Sequence, residues 1–128
     1  MESEQRKTWR ADVEKFALSL PEAWSDEPWG DSVVKVRKKI FVFLGTVDGD
    51  PATGAISVKL TDSLDHGRSI PGAAPVGYGL GKHGWTYVPF AGLGETEGDV
   101  LFDFVEESYR AVAPKTLVKQ LDARSDTA

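Results

Sequence analysis

Gly77-Tyr-Gly-Leu-Gly-Lys-His-Gly-Trp-Thr-Tyr-Val-Pro-Phe90 is the stretch on which the choice of fold turns. Its four glycines in eight residues, Gly77, Gly79, Gly81 and Gly84, first suggest a phosphate-cradling loop. A dinucleotide-binding loop, however, leaves a strand and opens a helix. Here the glycines lead into Trp85-Thr-Tyr-Val88, where aromatic and β-branched residues alternate as in a strand. A Walker-type loop is excluded as well, because Gly81-Lys82 is followed by His83 and not by Ser or Thr. The run is therefore a glycine-loosened connection into a sheet strand, with Trp85 and Tyr87 on one face and Thr86 and Val88 on the other.

Upstream of this strand the same period of two recurs. Ala55–Thr61 places Ile56, Val58 and Leu60 on one face and Ser57 and Lys59 on the other. Val33–Val47 reads as a β-hairpin turning near Lys38-Lys39, and its register has two solutions. A two-residue loop at Lys38-Lys39 sets Val36 across from Phe41 and Val34 across from Phe43. A three-residue loop at Arg37–Lys39 pairs Val36 with Ile40 and Val34 with Val42, which exchanges the faces of the second strand. Asp48-Gly-Asp-Pro51 is a turn, Thr61–Gly67 a short helix or turn stopped by Gly67, and Ile70–Val76 a loop. Gly92–Gly98 is a second glycine-rich connection.

Two helices flank the strands. Trp9, Val13, Phe16, Ala17 and Leu20 form one stripe of a helix over 7–20, which Pro21 ends. Leu101, Phe104, Val105, Ser108 and Val112 form the stripe of a second, over 98–113, before Pro114. Leu117, Val118 and Leu121 mark a short terminal helix over 115–121. Between the first helix and the hairpin, Glu22–Asp31 reads as an acidic surface loop. Trp24 and Trp29 pin it to the core; alternatively one of them lines a pocket. Helix, about four antiparallel strands and helix make an α+β fold. It is a two-layer sandwich, with both main helices packed on one face of the sheet and the other face at least partly open. The expected domain covers 7–121, with 1–6 and 122–128 as flexible termini.

The composition limits what such a domain does. In 128 residues there are 15 Lys and Arg against 20 Asp and Glu, a net charge of −5, so attraction for phosphate must come from a local patch. With no cysteine in the sequence there is neither a disulfide nor a thiolate site. No apolar run nears the length of a membrane span, and the amino-terminal residues are polar, without the apolar core of a secretory signal. Cytoplasmic residence and no membrane association are expected.

Several segments, in their order, are similar to the MmcQ/YjbR family. They are Leu20-Pro21, Pro28-Trp29-Gly30, Val36-Arg37-Lys38-Lys39-Ile40-Phe41, Val58-Lys59-Leu60, Gly81–Val88 and Glu107–Lys115, spread over about residues 9–121. The resemblance implies a CyaY-like (frataxin-like) fold. It also implies DNA binding through the open sheet face, by analogy with the double-wing domain of a phage transcription factor. The sequence departs from the family pattern at Gly84, which separates His83 from Trp85, and at Lys38-Lys39, where a turn glycine is commoner.

Candidate chemistry follows from these placements. Lys35, Arg37, Lys38 and Lys39 put four cations in five residues, and Lys59, Lys82 and His83 can extend the patch, so these seven are the candidate nucleic-acid contacts. The bland reading of the same pattern is a wet sheet face guarded by edge lysines. The alternative function is a protein- or small-ligand-binding module whose aromatic cleft involves Trp29, Trp85 and Tyr87. His66 and His83 are the only histidines and have no metal-ligand spacing with Asp62 or Asp65. Asp99, Asp103, Glu106 and Glu107 recur at helical steps as a solvated face. No nucleophile with a neighbouring base is recognisable, so neither a catalytic residue nor a cofactor is expected.

Overall fold

The alternating stretches do form the sheet that the period of two demands. In the computed structural model, which describes residues 2–27, 32–45, 54–77, 79–94 and 97–127, the strands are β1 (Ala23–Asp26), β2 (Ser32–Val36), β3 (Lys39–Gly45), β4 (Ala55–Lys59), β5 (Ala74–Pro75) and β6 (Trp85–Pro89). The helices are α1 (Glu2–Leu18), α2 (Leu64–Ser69), α3 (Asp99–Val112) and α4 (Lys115–Thr127), with 3₁₀ turns at Leu80–His83 and Phe90–Gly92. The order across the sheet is β1-β2-β3-β4-β6-β5, every neighbouring pair antiparallel. Two strands exceed the sequence-based expectation. β1 lies in the segment expected to be an acidic loop, and β5 in the segment expected to connect Ile70 to Val76; neither carries the apolar alternation that reveals a half-buried strand.

Helices α1 and α3 pack together on one face, as a two-layer sandwich requires. Trp9, Val13, Ala17 and Leu20 meet Leu101, Phe104 and Val105 over Val34, Val36, Val42, Ile56, Val58, Leu60 and Val88 of the sheet. Tyr109 closes this core beneath the hairpin. Its ring meets Phe41 edge-on with centroids 5.2 Å apart, and its hydroxyl donates to the Pro21 carbonyl at 2.8 Å. Burial pushes the Tyr109 hydroxyl above its ordinary pKa, which keeps it protonated and donating. Helix α1 begins before, and α4 runs beyond, the stretch its apolar stripe marks, since Glu, Gln, Lys and Arg continue a helix without needing a core. At its other end α1 stops at Leu18, short of Leu20.

The hairpin has neither of the two anticipated turns, although it keeps the pairing of Val34 with Val42 from the three-residue alternative. Its turn is Arg37-Lys38, with Val36 opposite Lys39 and Lys35 opposite Ile40. Arg37 takes a φ of 58°, the left-handed conformation that two-residue turns demand and that glycine or asparagine normally supplies. A register shift then follows between Val34 and Lys35, so that Val34 pairs with Val42. The residue left over is Phe41. As a β-bulge it turns Phe41 and Val42 alike toward the helices and leaves Ile40 and Phe43 on the opposite face.

That bulge also parts β3 from β4. Their ladder consists of Val42 opposite Val58 and Phe43 opposite Ser57. One step further, the next ladder bond is replaced by a side chain from α3. The buried Ser108 hydroxyl accepts from the Lys59 N–H at 2.8 Å and donates to the Phe41 carbonyl at 2.5 Å. Both main-chain groups stay satisfied while the strands separate. Gly67, expected to stop a short helix, lies inside α2, with the Leu60 side chain packed against the place a Cβ would take.

Candidate functional site

The register assigns the open face residue by residue. Trp24, Lys35 and Ile40 are cross-strand neighbours on β1, β2 and β3. Phe43, Ser57 and Tyr87 are neighbours on β3, β4 and β6, and Lys59 pairs with Trp85. Where β3 and β4 separate, this face sinks into a cavity of about 400 Å³ lined by Lys35, Lys38, Lys39, Ile40, Phe43, Lys59, Leu80, Trp85 and Val112. Its floor is apolar. Trp85, only 8% exposed, meets Phe43 edge-on with ring centroids 5.5 Å apart. Val112 comes from α3, one turn beyond Ser108. Leu80 comes from the 3₁₀ turn that Arg68 holds in place by donating from Nη2 to the Gly81 carbonyl at 2.6 Å. Gly84 is what lets this turn lie so close to β4: its φ is 93°, and a Cβ would collide with the Leu60 carbonyl oxygen.

The rim is cationic. Four of the seven candidate contacts, Lys35, Lys38, Lys39 and Lys59, surround one concavity from both sides of the strand gap. Among the described residues, Lys38, Lys39 and Lys59 take part in no ion pair, whereas Lys35 reaches Asp26 at 2.8 Å. The hydrogen bond from the Lys35 ammonium, followed by one from the Glu27 N–H, holds the Asp26 carboxyl below the usual carboxylate range.

The remaining candidates do not join the rim. Arg37 turns back along the hairpin to Glu22, 3.1 Å away, and both residues carry a φ of 58°. Lys82 and His83 are exposed on the 3₁₀ turn, outside the cavity lining. Of the aromatic cleft proposed from sequence, Trp85 forms floor, while Tyr87 is 40% exposed on the same face beyond the lining. Trp29 lies outside the described residues, as does the Asp48–Pro51 turn.

Trp24 departs from its expected core role. It is 43% exposed on the open face, its Nε1–H donates to the Arg37 carbonyl at 2.8 Å, and the Lys35 ammonium lies 5.1 Å from the centre of its ring. No periodic signal in the sequence marks this residue, because β1 buries so little. Ile40, Phe43, Leu80 and Val112 were equally absent from the expected site. The first two belong to the hairpin whose faces were undecided, and the last two arrive from distant segments.

A second concavity of about 360 Å³ lies between the end of β4 and α3, lined by Thr61, Asp62, Asp103, Glu106, Glu107, Arg110 and Ala111. Glu107, expected to be merely solvated, accepts from the Thr61 N–H at 2.8 Å, the Ser63 N–H at 3.0 Å and the Ser63 hydroxyl at 2.9 Å. Arg110 bridges Glu106 at 3.2 Å and Asp122 at 2.9 Å, and these two carboxylates, Asp122 foremost, raise its already high pKa. His66 stands edge-on to Phe104, with centroids 5.5 Å apart. Among the described residues no three His, Asp or Glu side chains converge on a point that could hold a metal. Nor is any described helix long and apolar enough to cross a membrane.

No curated protein matches the chain. A protein-family model does, the one described as YjbR, over residues 18–111. That span runs from the end of α1 nearly to the end of α3 and contains every cavity-lining residue except Val112. With well over half its length matched, and with all six strands of the sheet and nearly all of α3 inside that span, the chain belongs to the YjbR family.

Proposed function

We propose that the protein is a cytosolic, non-catalytic domain that binds nucleic acid, DNA in the first instance, through the lysine-rimmed cavity on the open face of its sheet. The observation that carries this reading is the convergence of Lys35, Lys38, Lys39 and Lys59 around one concavity, three of them without a described ion-pair partner. Ammonium groups that are not neutralised within the protein release counterions from a phosphate backbone on binding, which makes the attraction local and independent of the net charge of −5. The lining supports binding over catalysis, since among its described residues the only ionisable side chains are lysines. A second reading, the small-ligand cleft, has one observation in its favour: the floor is made of Ile40, Phe43, Leu80, Trp85 and Val112, which phosphate alone would not require.

The test is titration of fluorescently labelled single- and double-stranded DNA at low and moderate salt. With three unneutralised lysines, affinity for a single strand falls with about the second power of the salt concentration. The paired substitution Lys38→Glu and Lys39→Glu weakens binding at least about tenfold at low salt. Absence of binding to either form at low salt refutes the reading.

A further inference from the structure

We propose that the cavity seats one unpaired base, so that the ligand is single-stranded nucleic acid and not duplex. This rests on the nucleic-acid reading above and deepens it. A surface that only tracks phosphates needs cations, whereas this one places its cations around a concave apolar floor. Ile40, Phe43, Leu80, Trp85 and Val112 provide that floor, and the volume of about 400 Å³ lies in the range of small-molecule clefts. Lys35, Lys38 and Lys39 stand on the hairpin side and Lys59 on the other, so a group entering the floor carries its flanking phosphates past ammonium groups on both sides.

In a duplex the base faces are stacked and the edges paired. A base reaches such a floor only by leaving the stack, at a cost that a single strand does not meet. Trp24 adds a second contact of the same kind. Its exposed indole lies two strands away, roughly 10 Å by strand spacing, and is fixed in orientation by the bond to the Arg37 carbonyl. The neighbouring base stacks on the face of that ring opposite the Lys35 ammonium, which lies over the indole 5.1 Å from its centre. The same ring chemistry with an attached phosphate exists in a free nucleotide, but the rim of separate lysines and the outlying Trp24 platform match a strand.

The experiment compares four ligands by competition against one labelled oligothymidylate at low salt. They are the unlabelled strand, a duplex of equal length, a fully abasic strand of equal length, and thymidine monophosphate. The expected result is that the duplex and the abasic strand both bind at least about tenfold more weakly than the normal strand. The abasic strand keeps the salt dependence of the parent, because its phosphates are unchanged. Trp24→Ala, at an exposed position, lowers single-strand affinity about tenfold and leaves duplex affinity unaltered. Equal affinity for normal and abasic strands, or a preference for duplex, overturns the base-seating inference while leaving nucleic-acid binding intact. Thymidine monophosphate competing as well as the strand overturns it in favour of a free small ligand. No binding by any ligand overturns both this inference and the function on which it rests.

Discussion

Two concavities of similar size, about 400 Å³ on the open sheet face and about 360 Å³ beside α3, have opposite chemistry. Beside α3 three of the five charged side chains are engaged within the fold, while Asp62 and Asp103 make no ion pair among the described residues. Glu107 ties down the start of α2 through Thr61 and Ser63, and Arg110 is bracketed by Glu106 and Asp122. On the open face, Lys38, Lys39 and Lys59 have no such partners among the described residues, and they border an apolar floor. Volume therefore does not separate the two. What distinguishes them is the sign of the charge left unpaired, acidic beside α3 and basic on the open face, and the apolar floor that only the open-face concavity has.

Adjacent residues of α3 let this contrast be broken deliberately. Ser108 faces the strand gap under the cavity, and Glu107 faces the groove. Ser108→Ala has the largest expected effect. It strands the Lys59 N–H and the Phe41 carbonyl, at about 1–3 kcal/mol for each orphaned group, so stability falls by about 3 kcal/mol in a urea titration. It also loosens the strand carrying Lys59, so oligonucleotide affinity falls in the material that remains folded. A change in neither quantity would show that the bridging hydroxyl is incidental.

Glu107→Ala removes three accepted hydrogen bonds in a more exposed setting and is expected to lower stability by about 2 kcal/mol. Oligonucleotide affinity stays within about twofold of the parent, since this groove is structural. A large loss of affinity with Glu107→Ala would move the functional site to the helix side.

The smallest effect is expected at Asp26. Asp26→Asn frees Lys35 from its ion pair and raises oligonucleotide affinity about two- to threefold, in line with the modest strength of surface pairs. The sign of its pH dependence follows from the depressed carboxyl. A lowered folded-state value keeps the pair intact above the ordinary carboxylate range, and the pair is lost as pH falls through that lowered value. Between about pH 5 and 8 this pair therefore leaves wild-type affinity flat. A rise in affinity across that window in the wild type, abolished by Asp26→Asn, would contradict the assignment.

Much of the layer structure was legible in the chain because burial on one face writes a period into it. Ile56, Val58 and Leu60 marked β4, and the stripes of α1 and α3 marked the helical layer. The lysines of the rim were legible for the complementary reason, as the wet positions of the same alternation. The hairpin faces were not. Phe41 and Val42 are adjacent apolar residues that both point to the core, and no periodic argument assigns two neighbours to one face. β1 escaped notice because none of its side chains is buried, and with it went the placement of Trp24.

By itself, then, the sequence determined that this is a helix-backed antiparallel sheet with cations on its uncovered face. Local periodicity and composition encode burial, and burial is what builds layers. Only the tertiary structure decided that four of the seven candidate cations share one concavity and that Arg37, Lys82 and His83 stand apart from it. That outcome depends on a bulge at Phe41 and on a hydroxyl supplied from 67 residues away in the chain, which parts two strands and opens a floor between the lysines. Such long-range insertion leaves no local trace, because the energy that favours it is shared among residues that meet only after the chain has folded.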